Sequence, residues 1–197
     1  MSGPRHSPEE FDAFYAVSPP WDIGRPQPAF VELAHELRGR VLDVGCGTGE
    51  HTLMAAGLGL QAVGLDSSPT AIAIAENKAR DRGVTARFVV GDALELSSLD
   101  DQFDTALDSG LFHVFDDHDR ARYVTSLGDV IPSGGRYFML CFSDRQPGDW
   151  GPRRVTEREI IDSFAHGWTI DAIAAAKFDI TISDEGAVAW LVTATRS

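Results

Sequence analysis

Arg40 to Glu50 reads R-V-L-D-V-G-C-G-T-G-E, and this stretch decides the fold. Val41 to Val44 is a short apolar run carrying one acid, the pattern of a strand buried on both faces. Gly45, Gly47 and Gly49 follow at alternate positions. A residue without a side chain can take positive φ in a tight turn, and it lets backbone N–H groups come close to a ligand. An apolar helical segment begins near Glu50, so the loop feeds a helix N-terminus. Strand, glycine loop and helix in succession make a nucleotide-binding opening.

The spacing narrows the ligand. The dinucleotide fingerprint G-x-G-x-x-G, counted from Gly45, would need its third glycine where Glu50 stands. A diphosphate would also meet the carboxylate of Asp43, and like charges repel in a partly desolvated site. An acid beside the loop suits a ligand bearing an ammonium, such as S-adenosylmethionine (SAM). At this point the chain resembles the class I SAM-dependent methyltransferases. Their motif D/E-x-G-x-G-x-G is matched by Asp43, Gly45, Gly47 and Gly49. The resemblance implies an α/β, Rossmann-like, seven-stranded and mostly parallel sheet with an antiparallel last strand and helices on both faces, with SAM as cofactor.

Composition agrees with a small-molecule enzyme. The 197 residues suit one α/β domain with a substantial core. Lys+Arg 17 against Asp+Glu 30 gives a formal net charge of −13, a surface that repels nucleic acid and anionic membrane. The two cysteines, Cys46 and Cys141, read as buried reduced thiols. No apolar run reaches membrane-spanning length, and MSGPRHSPEEF lacks a signal-peptide pattern. The expectation is a cytoplasmic monomer or homodimer.

Along the chain, Met1 to about Pro8 is polar. Glu9 to Ala16 carries Phe11, Phe14 and Tyr15 at helical spacing. Pro19 to Pro28 (PPWDIGRPQP) is too proline-rich for helix or central strand. Residues 1–28 therefore form a helix and strap, and residues 29–197 the methyltransferase domain. By resemblance the strap covers the methionine end of SAM and the acceptor, making Trp21, Gly24 and Arg25 contacts. Leu60 to Leu65 is a second strand ending at Asp66, placed to accept both ribose hydroxyls with Ser67 beside it. Ser68 caps and Pro69 opens the next helix, and Gly83 closes it. After a third strand, Thr85 to Val90, the family places an acid on the adenine amino group and the next N–H on a ring nitrogen. Asp92 and Ala93 stand there.

Strand four, Phe103 to Leu107, leads into D-S-G-L-F-H-V-F, Asp108 to Phe115. Ligands sit at the carboxyl ends of parallel strands. His113 and Asp108 are therefore the candidate bases, Asp108 also touching the cofactor. Trp21, Phe112, His113, Phe115 and Trp150 are the candidate walls for a planar acceptor. Asp116, Asp117 and Asp119 are read as the start of a helix, with no metal assigned. Strand six, Trp168 to Asp179, and a last strand, Ala187 to Thr195, read as an antiparallel hairpin turning at Asp184-Glu185-Gly186. PPWDIGRPQP, DSGLFHVF and the CFSD strand end resemble the bacterial heterocyclic-toxin methyltransferases, near the thiopurine and tellurite-resistance branch. The glycine loop departs from that of the thiopurine enzymes. The resemblance implies O- or S-methylation of a small heteroaromatic hydroxyl or thiol, in detoxification or tailoring. A SAM-binding module without turnover and a nicotinamide-dependent oxidoreductase are the competing readings.

Overall fold

The computed structural model describes residues 7–197, so the polar lead expected over Met1 to Pro8 falls mostly outside the described residues. A seven-stranded sheet runs in the order β3-β2-β1-β4-β5-β7-β6. Its strands are β1 (Arg40–Val44), β2 (Gln61–Asp66), β3 (Arg87–Val90), β4 (Thr105–Ser109), β5 (Arg136–Phe142), β6 (Trp168–Ile180) and β7 (Ser183–Arg196). The β1–β2, β1–β4, β2–β3 and β4–β5 pairs are parallel, and β7 is antiparallel to both β5 and β6. This is the expected sheet. The hairpin turns earlier than expected, at Thr181–Ile182, because both of its strands are longer than the apolar runs suggested.

The helices are α1 (Pro8–Tyr15), α2 (Pro28–Glu32), α3 (Glu50–Gly57), α4 (Pro69–Arg82), α5 (Asp117–Val130) and α6 (Glu157–Ser163). Alternation along each strand sends side chains to two cores. Leu42, Val44 and Ala106 face α5 and α6 through Tyr123, Leu127, Ile160 and Phe164. Val41, Leu107 and Phe138 face α2 and α3 through Phe30 and Ala55. The helix starts read from sequence at Ser68 and at Asp116 are capped as expected, and a third cap stands at Thr156. Ser68 accepts from the Ala71 N–H ahead of α4, and Gly83 closes that helix at φ 63°. Thr156 and Glu159 form a reciprocal capping box at α6. Asp116 caps α5 by accepting from the Asp119 N–H. No helix among the described residues is long and apolar enough to cross a membrane.

The first βα crossing is packed to backbone contact. A Cβ at Gly49 would lie 2.8 Å from both the Ala75 Cβ and the Phe88 ring, at φ +86°. Gly49→Ala therefore combines left-handed backbone strain with overpacking and should destabilise the fold by about 2–4 kcal/mol. Thermal unfolding checks this: a melting temperature equal to wild type would refute the packing argument.

Candidate functional site

The glycine loop is sewn to the end of the neighbouring strand. Gly45 N–H and Cys46 N–H both donate to the Leu65 carbonyl, at 2.8 and 2.9 Å. Gly45, Gly47 and Gly49 take φ of 70°, 52° and 86°, so all three use glycine's freedom. Asp66, 7% exposed, holds two loops at once: Gly47 N–H donates to Oδ2 at 2.8 Å and Ser68 N–H to Oδ1 at 2.9 Å. Burial raises its pKa, and those amides pull the other way. Ser67 lies half-buried between these partners.

Asp43 is the second acid of the crossover. Its Oδ2 accepts from the Thr52 N–H at 2.9 Å and the Thr52 hydroxyl at 2.7 Å. Its Oδ1 is buried with no partner among the described residues. Burial pushes this carboxyl up to about 7, with smaller contributions from Asp66 and Asp108. A buried carboxylate oxygen without a donor, next to a glycine loop, fits a ligand that brings an ammonium. The pair Asp43 and Asp66 thus suits SAM, a cation with a ribose.

The strap lies over the loop as expected, and α1 comes with it. Tyr15, Trp21, Asp22 and Arg25 face Gly45, Cys46, Gly47 and Thr48 across a cavity of about 50 Å³. Trp21 Nε1 donates to the Tyr15 hydroxyl at 3.2 Å, and the Thr48 hydroxyl donates to Asp22 at 2.9 Å. A Cβ at Gly47 would sit 2.7 Å from that same Tyr15 hydroxyl, so only glycine allows the approach. Gly24 is exposed, a Cβ placed there would meet nothing within 4 Å, and its N–H donates to Asp22 Oδ1 at 3.4 Å, so it shapes the strap. Arg25 reaches the cavity rim and pairs with Asp179 at 2.7 Å. Asp92 stands at the end of β3, exposed, accepting from the Leu94 N–H at 2.9 Å, with Ala93 buried beside it.

The loop after β4 corrects several expectations. Asp108 shares the face of Ala106 and so points into the α5 core, away from the strand ends. It is fully buried and accepts from Leu111 N–H (2.8 Å), Phe112 N–H (3.3 Å), Tyr123 Oη (2.9 Å) and Tyr137 Oη (2.7 Å). Four donors leave it no lone pair for a substrate or cofactor. His113 is buried, and its Nδ1 accepts from the Phe142 N–H at 3.0 Å, so the remaining ring hydrogen is on Nε2. Burial, with Arg120 and Arg154 nearby, drives its pKa down to about 3, a poor base. Phe112 and Phe115 are 0% and 1% exposed, packed on Phe164 and Tyr123, and wall no cavity. Trp150 is exposed and edge-on to Phe142, one ring removed from Phe178.

The walls that the sequence did not flag are Tyr15, Gln27, His51, Ser109 and Phe178, which line the cavity with Trp21. Ser109 ends β4 and so had a positional signal. His51 stands two residues after Gly49 and so had one too, whereas Phe178 had none, since it reaches the cavity from a strand late in the chain. A larger open groove of about 820 Å³ runs between α5 and α6, but Arg153 there pairs with Asp117 and Glu159, and no glycine loop faces it.

Comparison with known proteins agrees with this geometry. Residues 41–135 match the family described as methyltransferase domain. A 2-heptyl-1-hydroxyquinolin-4(1H)-one methyltransferase of Mycobacteroides abscessus is 38% identical over 167 residues, 82% of this chain and 74% of that protein. A solved structure described for conversion of a disulfide bond into a thioacetal group during echinomycin biosynthesis superposes with a TM-score of 0.87. It is 38% identical and covers 97% of this chain and 93% of its own. Magnesium protoporphyrin IX methyltransferase of Synechocystis PCC 6803, solved with bound SAM, shares the fold at 19% identity. Its TM-score is 0.66, over 86% of this chain and 76% of its own.

Two outcomes follow from the acids. Asp66→Ala should weaken SAM binding by roughly 1.5–3 kcal/mol, the scale of charge-assisted hydrogen bonds, and calorimetry giving wild-type affinity would mean the ribose lies elsewhere. Asp43 has its pKa raised to about 7, so below that pH it must lose a proton before it can face a cation. SAM affinity should therefore fall as pH drops below 7, by up to about tenfold per unit, with proton release on binding. A flat profile between pH 5 and 7 for wild type, or the same slope in Asp43→Asn, would exclude Asp43.

Proposed function

The chain belongs to the SAM-dependent methyltransferases, and on that premise we propose that it moves the methyl group to the oxygen or sulfur of a small planar heteroaromatic acceptor in the cytoplasm. The observation that carries this reading is the cavity between glycine loop and strap, where Tyr15, Trp21 and Phe178 give aromatic surfaces facing Gly45 and Gly47. Ring faces and edges are the surfaces on which a flat heterocycle stacks. The relative that methylates a hydroxyquinolone supports the same acceptor class.

When bound, SAM supplies a methyl group already activated by its sulfonium charge. The chain's own part is to bind, align and dry. Asp43 and Asp66 would hold the ammonium and ribose ends, Gly45, Gly47 and Thr48 would lie against the donor, and the strap would cover it. Alignment of two bound reactants can supply several kcal/mol, up to about 7–11 in favourable cases. His113 and Asp108 are left out of the chemistry and given a structural part beneath the site. Trp150 is left out of the acceptor slot. The reading of a nicotinamide oxidoreductase falls with family membership. A donor-binding module without turnover is what the assay excludes.

Purified protein should methylate at least one member of a panel of hydroxyquinolones, quinols and aromatic thiols, followed by S-adenosylhomocysteine release and the mass of the product. Tight S-adenosylhomocysteine binding with no methylated product across the panel would favour the binding module.

A further inference from the structure

Gln27 sits at the joint between strap and sheet and is 2% exposed. Its side-chain amide pairs with the backbone of Asp179. The Asp179 N–H donates to Oε1 at 2.8 Å, and Nε2 donates to the Asp179 carbonyl at 3.0 Å. These are the two bonds a neighbouring strand would exchange with that residue. The backbone N–H of Gln27 donates to His51 Nε2 at 3.0 Å, and further along the strap the Pro20 carbonyl accepts from Thr181 N–H at 2.9 Å. One residue therefore ties together the strap, the first turn of α3 behind the glycine loop, and the end of β6.

The position matters because of its neighbours. Asp179 follows Phe178, which lines the cavity from β6, while Trp21 lines it from the strap. We propose that Gln27 is a positioning residue for methyl transfer, fixing the gap between Trp21 and Phe178 and hence the slot that receives the acceptor ring. This rests on the functional reading above. Gln27 borders the cavity, but its side-chain amide is spent on the Asp179 backbone, so it acts through that backbone. His51 completes the joint from below: its Nε2 is an acceptor only while the ring is neutral, and burial holds its pKa down to about 4. Losing the amide would leave a buried N–H and carbonyl unpaired at Asp179, so the strap would rather part from β6 than stay in register. A displacement of about 1 Å in such a slot is enough to slow transfer on the order of a hundredfold.

The test uses two variants and separates the two substrates. Gln27→Met keeps length and bulk and removes both bonds, while Gln27→Glu keeps the acceptor for the Asp179 N–H and loses the donor. Each is measured for kcat and KM with the best acceptor of the panel, and for S-adenosylhomocysteine affinity by calorimetry. Acceptor kcat/KM should fall by at least about tenfold in Gln27→Met and by less in Gln27→Glu, with S-adenosylhomocysteine affinity within about twofold of wild type in both. Acceptor kcat/KM within about twofold of wild type overturns the proposal, and so does a parallel loss of S-adenosylhomocysteine affinity, which would mark a merely structural role. If Gln27→Met fails to fold, Gln27→Glu decides on the same criteria. A wild-type protein that turns over no acceptor sinks the functional reading instead, before this one is reached.

Discussion

The carboxylate of Asp66 gripping two backbone amides is the contact on which the crevice depends. One of those amides, Gly47, belongs to the loop after β1, and the other, Ser68, to the start of α4 after β2. Adjacent parallel strands splay their following loops apart at the point where strand order reverses, and ligands of open α/β sheets enter there. With β1 in the middle, the order β3-β2-β1-β4 places that reversal at the glycine loop. Asp66, itself buried, keeps the two loops at a fixed separation. The two amides from the loop on the Leu65 carbonyl complete the frame, so the loop is held by backbone and by one side chain.

The frame was legible because its constraints are local. An alternating glycine pattern, an acid at a strand end and a Ser-Pro helix start each follow from a few adjacent residues. The strap was legible from proline content, and its tryptophan does line the cavity. What the sequence could not convey was the direction of the loop after β4. Asp108, Phe112 and Phe115 look like a site when written in a row, yet strand alternation and a 3-10 turn over Phe112–Val114 fold them back onto α5. Tyr123 and Tyr137, the partners that satisfy Asp108, arrive from two other elements. Phe178 and Gln27 were invisible for the same reason, since their meeting depends on where the end of β6 lies relative to the strap.

Three carboxyls are buried, Asp66 and Asp108 both raising the pKa of Asp43, and the fold treats them differently. Asp108 is satisfied internally by two tyrosines and two amides. Asp66 is half committed, each oxygen accepting from one loop amide. Asp43 keeps one oxygen without any donor among the described residues. On the functional reading proposed above, this gradient, which ends at the unpaired oxygen of Asp43, prepares the fold for a cationic ligand. It also means that ligand binding and folding stability are linked, because a cation relieves a charge that the empty fold leaves uncompensated.

The two thiols carry a consequence for how the protein meets its chemistry. Cys46 lies within the glycine loop and Cys141 within β5, both free and buried, and burial pushes both well above the ordinary thiol range. Thiolate, the form that attacks electrophiles and enters exchange with disulfides, is thereby suppressed. Quinones, alkylating agents and disulfide-bearing toxins should find no accessible cysteine thiolate on the native molecule, so an enzyme facing such compounds would not be poisoned through its cysteines.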